Sequence, residues 1–275
     1  MSIFELLEID RLQIVKKQKI LKDYKGLKNL KFVLHSGAKN FDETLGGGFY
    51  QGRMYLIFGA NKTGKTQICH QLCVQAYIQL NRLLKKSNTM NNQFIFYFDT
   101  ENTFRPERLK ELTLTQGVEY NNLLKNIFVS KIMSNSALLL SLKELERLLE
   151  LKDFNILIID TINNHFNSEV ANKEISIDKT KLIFLKILSL ISELTIKYGL
   201  ITIATAQVTS NLFKESLLRV IPVGNYLLNH FFSEYVFLDY KEHDKRYVQL
   251  VNSMNFPEKR ILYKITPLGV QDYII

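Results

Sequence analysis

The segment Gly59-Ala60-Asn61-Lys62-Thr63-Gly64-Lys65-Thr66 narrows the possible folds more than any other part of the chain. It fits G-x-x-x-x-G-K-[ST], the phosphate-binding loop of nucleoside triphosphatases. That motif has meaning only between a buried strand and a helix, and both flanks comply. Met54-Tyr55-Leu56-Ile57-Phe58 is a short apolar run. From Thr66 to Leu84, Ile68, Leu72, Ala76 and Leu80 recur at helical spacing. In such a loop successive backbone N–H groups face phosphate oxygens, and the helix N-terminus adds partial positive charge. Lys65 is then placed to reach the β- and γ-phosphates, and the Thr66 hydroxyl to ligate Mg²⁺. The cofactor expectation from these residues is a nucleoside triphosphate with Mg²⁺.

With 275 residues, 46% of them hydrophobic, the chain can bury one large core. No apolar run approaches the length of a membrane span, and the first residues do not open a secretory signal. The only cysteines, Cys69 and Cys73, lie one helical turn apart on the loop's own helix. They read as reduced core thiols of an intracellular protein, and His70 between them as helix surface. A formal net charge of +9 favours a polyanionic partner. Much of it sits between Arg11 and Lys31, where eight basic residues face Asp23 as the lone acid. Two readings of this amphipathic segment stand side by side: a solvated helix over the core, or an electrostatic contact to DNA phosphates. We therefore divide the chain into a basic arm, 1–38, and a core, 39–275.

Within the core, apolar runs alternate with helical patterns. Gly46-Gly47-Gly48 marks a turn before the first core strand, and 81–92 reads as a surface loop. Gln93–Asp99 is a second buried strand, running into Thr100-Glu101-Asn102-Thr103-Phe104-Arg105-Pro106-Glu107-Arg108. Ligands gather at the carboxyl ends of parallel strands, which places Glu101 and Arg105 near the nucleotide. Asn126–Ser130 is a third strand and Ala137–Leu151 a helix. Asn155-Ile156-Leu157-Ile158-Ile159-Asp160 is an apolar run closed by a carboxylate, so that Asp160 becomes a candidate Mg²⁺ ligand. Residues 163–175 read as a polar loop, Ile177–Tyr198 as a helix, and Leu200–Ala206 as a strand ending at Gln207. A second polar segment spans 208–221, and the tail reads as three strands within 235–265. The sum is α/β: a mainly parallel sheet flanked by helices, with antiparallel C-terminal strands.

These residues together resemble the ATPase core of the RecA/RadA recombinases, including archaeal RadA and RadB and the eukaryotic paralogues. The likeness runs from about Ser36 to Asp272. It is most specific at 99–108, where the family motif is D-T-E-G-T-F-R-P-E-R, and it extends to Gly64–His70 and Gly46–Gly48. By position, the resemblance implies that Glu101 orients the attacking water, Arg105 packs on the adenine, and Gln207 senses the γ-phosphate. It implies that 252–258, with Pro257, is a cap over the base bound by the next protomer. His230 falls where a histidine lies near a neighbour's nucleotide, and it reads equally as a structural residue. Lys173, Lys214 and Arg219 lie in the segments that touch single-stranded DNA in the family, with duplex DNA a further candidate.

The chain also departs from the family. Its arm is too short for the helical domain full recombinases carry there, and no Phe-x-x-Ala polymerisation motif is evident. Asn167, Ala206 and Asn252 replace an arginine, an asparagine and an aspartate. These changes bear on self-assembly and strand exchange rather than on the ATP site. The resemblance implies a DNA-dependent ATPase of recombination and repair, acting as a homo-oligomer or with another recombinase-family protein, in the cytoplasm or nucleoid of an archaeon or the nucleus of a eukaryote. A strand-exchange recombinase, a non-catalytic mediator and a RecA-like regulatory ATPase that never touches DNA remain as alternatives.

Overall fold

Strands that are apolar at every position need cover on both faces, and the observed sheet is built that way. The computed structural model describes residues 32–87, 94–150, 155–172, 176–211, 218–242 and 245–273. Residues Arg11 to Lys31 of the basic arm, together with Lys173 and Lys214, lie outside the described residues.

Among the described residues the main sheet has nine strands. Five form its parallel centre and one edge: β3 (Met54–Gly59), β4 (Phe94–Asp99), β5 (Ile127–Lys131), β6 (Asn155–Asp160) and β7 (Ile201–Ala206). β10 (Glu234–Glu242) pairs parallel with β3, and β11 (Lys245–Asn252), β12 (Lys259–Thr266) and β13 (Gly269–Asp272) continue antiparallel. The order is β13-β12-β11-β10-β3-β7-β6-β4-β5. Two short pairs stand apart: β1 (Val33–Leu34) with β2 (Phe49–Tyr50), and β8 (Val208–Ser210) with β9 (Val220–Pro222).

Side chains alternate between the two faces with period two. Tyr55, Ile57, Tyr97, Ile158 and Ile203 enter one core, which is covered by α1 (Lys39–Thr44), α2 (Lys65–Ser87), α3 (Pro106–Gln116) and α4 (Tyr120–Leu124). Leu56, Phe58, Phe98, Leu157, Ile159 and Ala204 enter the other, beneath α5 (Asn135–Leu149), α6 (Asn164–Ala171), α7 (Ile177–Tyr198) and α8 (Asn225–Leu228). Ser134 and Ser176 cap α5 and α7 by accepting the amides of Ala137 and Lys179. Gln71, buried on α2, locks the last hairpin: its side chain donates to Val270 O and Ser36 O and accepts from Val270 N. The α/β expectation and the antiparallel C-terminal strands are both found.

Some expected boundaries are corrected. Leu34 and Ala38 are buried in the first core, so the packed unit reaches back past the division placed after residue 38. α2 continues to Ser87, into the stretch read as a loop. The supposed polar loop 163–175 contains α6, whose sequence is polar because one residue anchors it: Phe166 stacks on Phe184, with centroids 4.4 Å apart. Glu169 of α6 then accepts the backbone N–H and side-chain amide of Asn135, at the start of α5.

Asp42 of α1 is a buried carboxyl that accepts the Ser36 amide at 2.7 Å, with His35 3.8 Å away. Burial outweighs these contacts and raises its pKa to about 6 from 3.8. A carboxyl whose folded pKa is raised stabilises most below its unfolded value, and that contribution is lost as pH rises through the folded one. Asp42→Asn, which keeps the acceptor without the charge, should gain on wild type by about 2 kcal/mol as pH goes from 4 to 7. Urea midpoints of both proteins across that range would show it, and a constant difference would refute it.

Candidate active site

A cleft of about 870 Å³ opens at the carboxyl ends of β3 and β4, where Asn61, Lys62, Gly64, Lys65, Thr66, Gln67 and Glu101 line it. β3 delivers Gly59 against the backbone of β10 so closely that a Cβ there would lie 2.1 Å from Leu238 O. At Gly64 the backbone decides, because φ +105° is a conformation that residues with a Cβ rarely adopt. Only glycine lets the loop pass both points. Thr63 closes the turn by donating its hydroxyl and its amide to Ala60 O.

Lys65 Nζ donates to Gly59 O at 2.8 Å and Ala60 O at 3.1 Å, folding its ammonium over the loop. Burial lowers its pKa, with the Asp160 and Glu101 carboxylates opposing that shift. Asp160 is fully buried, and hydroxyls surround it. Oδ2 accepts from Thr66 Oγ1 and Tyr97 OH, both at 2.8 Å, and from Thr103 Oγ1 at 3.4 Å; Oδ1 accepts from Thr205 Oγ1. Thr66 and Asp160 thus stand together as an all-oxygen pair. This suits Mg²⁺, which is usually held by one or two protein oxygens plus substrate phosphates and water. The donor chemistry fits the expected ion.

β4 supplies the next component. Its last residue, Asp99, is buried and holds the following loop through three backbone amides: Glu101 N and Thr103 N on Oδ1, and Phe104 N on Oδ2, at 3.0–3.2 Å. Asn102, where the resembled motif has glycine, sits at φ 58°, a conformation asparagine tolerates better than most residues. The loop sets Glu101 on the cleft wall. Glu101 Oε1 accepts from Thr161 Oγ1 at 2.8 Å and from Gln207 Nε2 at 2.7 Å. Gln207 also donates to Asn164 Oδ1 at 3.1 Å. The structure therefore brings together Lys65, Thr66, Asp160, Glu101 and Gln207.

Other expected residues lie apart. The Arg105 guanidinium is exposed and donates to the carbonyls of Asn102 and Phe104 in its own loop, while Arg108 and Arg246 stand on the cleft wall. Arg108 is pinned there by Gln67 Oε1, Glu111, Thr266 O and Pro267 O. Pro257 lies between β11 and β12, at the opposite end of the sheet from the loop of the same protomer. That follows because β10 runs parallel to β3 and β11 runs back. Exposed Arg219 precedes β9, and His230 is exposed after α8.

Two residues were missed. Asn163, fully buried, joins the Gln207 backbone to Val223: its Oδ1 accepts from Gln207 N, and its Nδ2 donates to Gln207 O and Val223 O. A single polar residue in a polar stretch carries no periodic signal. His70 is buried rather than on the helix surface. Its Nε2 accepts the Arg105 amide at 3.0 Å, so the proton must sit on Nδ1, which faces Thr66 O at 2.8 Å. Burial lowers its pKa, keeping the ring neutral. Its mates Cys69 and Cys73 are free and buried, as expected.

A glycine cradle at a strand's end, with a carboxylate on the next strand but one and helices on both faces, defines a RecA-like P-loop protein. The comparisons give the family. The Rad51 family profile matches residues 28–273, and the chain belongs to that family of recombination and repair proteins. It is 29% identical to the meiotic recombination protein DLH1 of Candida albicans over 246 residues, 88% of this chain and 74% of that one. It is 26% identical to the DNA repair and recombination protein RadA of Methanococcus maripaludis, over 87% of this chain and 76% of that one.

His70→Leu keeps the bulk but strands the Arg105 N–H. It should cost about 1–3 kcal/mol in urea unfolding and speed hydrogen exchange of amides 101–105 over those of β3. Unchanged exchange in that loop would contradict the bridge.

Proposed function

We propose that this chain is an ATP-binding, DNA-dependent ATPase of the recombinase or paralogue type, acting in homologous recombination and DNA repair. The observation that carries the reading is Glu101. Its carboxylate faces the same cleft as Lys65 and is tied to Gln207, which joins the strand end to the β8–β9 hairpin.

In this reading the loop amides and Lys65 hold the phosphates of ATP, and Thr66 and Asp160 hold Mg²⁺. The ion, when bound, supplies positive charge to the phosphate oxygens. Glu101 orients water for in-line attack on the γ-phosphate and draws its proton, while Lys65 stabilises the charge that develops. Gln207 shares a carboxylate oxygen with that event, so a change at the phosphate can pass through Asn163 and Asn164 to the hairpin. Arg219 stands at one end of that hairpin, and Lys214 falls in the segment it encloses. We assign these two, with Lys173, to phosphate contacts along single-stranded DNA, duplex DNA being the second candidate. Pro257 is assigned to a neighbouring protomer's nucleotide, in a homo-oligomer or a complex with another family member. Arg105 is assigned to the adenine, a role that requires it to release the two carbonyls it now holds. A role in recombination places the protein inside the cell. Among the described residues, no helix is long and apolar enough to cross a membrane.

ATP hydrolysis measured with and without single-stranded DNA tests this reading. Wild type should hydrolyse ATP faster with DNA. Lys65→Ala should lose both binding and turnover. Glu101→Gln should still bind ATP while turnover falls by about 100-fold or more, the usual size of a lost general base. Glu101→Gln turning over at the wild-type rate would sink the assignment, and a DNA-blind wild-type enzyme would favour a regulatory ATPase.

A further inference from the structure

A row of three side chains crosses the C-terminal strands beside the phosphate-binding loop. Tyr240 on β10 is in register with Arg246 on β11, and Arg246 with Tyr263 on β12. The two phenols reach adjacent loop carbonyls. Tyr240 OH donates to Lys62 O, and Tyr263 OH donates to Thr63 O at 2.6 Å. Two residues along the same strands, Leu238 O presses on Gly59, and Ile265 on Gly64. The C-terminal strands therefore touch the loop at positions 59, 62, 63 and 64, alternating residues on β10 and β12 as period two requires.

We propose that Tyr263, seconded by Tyr240, is a positioning residue that fixes the peptide planes of the phosphate-binding loop. The inference rests on the nucleotide-binding reading above and adds to it a pair of residues outside the loop.

The reason is the planarity of the peptide unit. The Thr63–Gly64 peptide is trans, so its C=O and N–H point to opposite sides. Binding the carbonyl therefore fixes the plane of that peptide, and with it the direction of the N–H of Gly64, a residue that lines the cleft. The Lys62 carbonyl, held by Tyr240, orients the Thr63 amide toward Ala60 O in the same way, closing the turn. Lys62 has φ 66°, which a lysine seldom adopts unaided, so an external tether at its carbonyl has a conformation to hold. Tyr263 is itself fixed: it is fully buried, with its ring edge-on to Phe41 at 5.9 Å. Burial keeps its phenol protonated, and therefore a donor. Glycine loops in general can be ordered by the ligand they bind; here the protein orders the loop in advance.

Titration of a fluorescent ATP analogue into wild type, Tyr240→Phe, Tyr263→Phe and the double variant tests this, alongside steady-state hydrolysis. Phenylalanine keeps the rings and removes only the hydroxyls. Each single change should weaken ATP and ADP binding about fivefold, the worth of one neutral hydrogen bond, and the double about 25-fold. KM should rise by the same factors while kcat at saturation holds, a split that general destabilisation would not give. The thermal midpoint of the nucleotide-free proteins should move by no more than a few degrees. Should buried Tyr263→Phe fail to fold, half-buried Tyr240→Phe reports alone with the same fivefold expectation. A wild type that does not bind ATP overturns the nucleotide-binding reading itself. A wild type that binds, with variants within twofold of it, overturns only the positioning role.

Discussion

The Asp160 carboxylate is the point on which the site closes. It is a polar group taken wholly out of water, and such a group is tolerated only where hydrogen-bond donors replace its hydration. Four hydroxyls do so, and each arrives from a different place in the chain: Thr66 from the start of α2, Tyr97 from β4, Thr103 from the loop after β4, and Thr205 from β7. Satisfying one carboxylate thus draws together the ends of four strand-borne segments. The cleft follows, because those same ends carry the phosphate loop, Glu101 and, one residue past β7, Gln207.

From that anchor the site extends outward through polar side chains that fix backbone rather than touch ligand. Asp99 and His70 divide the amides of the Glu101 loop between them, and Asn163 fastens the Gln207 backbone to Val223. Each is buried, and each would leave an unpaired group if lost, so the constellation is held before any ligand arrives. The C-terminal strands reach the same loop, where the Tyr240 and Tyr263 hydroxyls hold the Lys62 and Thr63 carbonyls.

What could be read in the sequence was whatever had a period or a motif. The strands of the parallel centre were legible because runs such as Ile156–Ile159 are apolar at every position, and α7 because Leu185, Leu188 and Ile191 keep helical spacing. That Thr66, Asp160 and Glu101 lie near one another was legible from spacing and chemistry, and the place of Gln207 beside them from resemblance. What escaped was decided by contacts between distant residues. α6 depends on one buried ring, Phe166 on Phe184; β13 depends on Gln71, 199 residues away from Val270. The burial of His70 depends on an amide 35 residues on, and nothing local to Cys69-His70-Gln71 marks it. The Tyr240–Arg246–Tyr263 row required strand register, which alternation alone does not supply.

The central claim is that four strand ends gather one site for a nucleoside triphosphate and a magnesium ion. Equilibrium binding of ATP to the purified protein, with Mg²⁺ and then with EDTA, addresses it most directly. The account predicts saturable binding that weakens when the ion is removed, and a further loss of that ion dependence in Asp160→Asn. ATP that does not bind, or that binds wild type and Asp160→Asn with the same response to Mg²⁺, would contradict it.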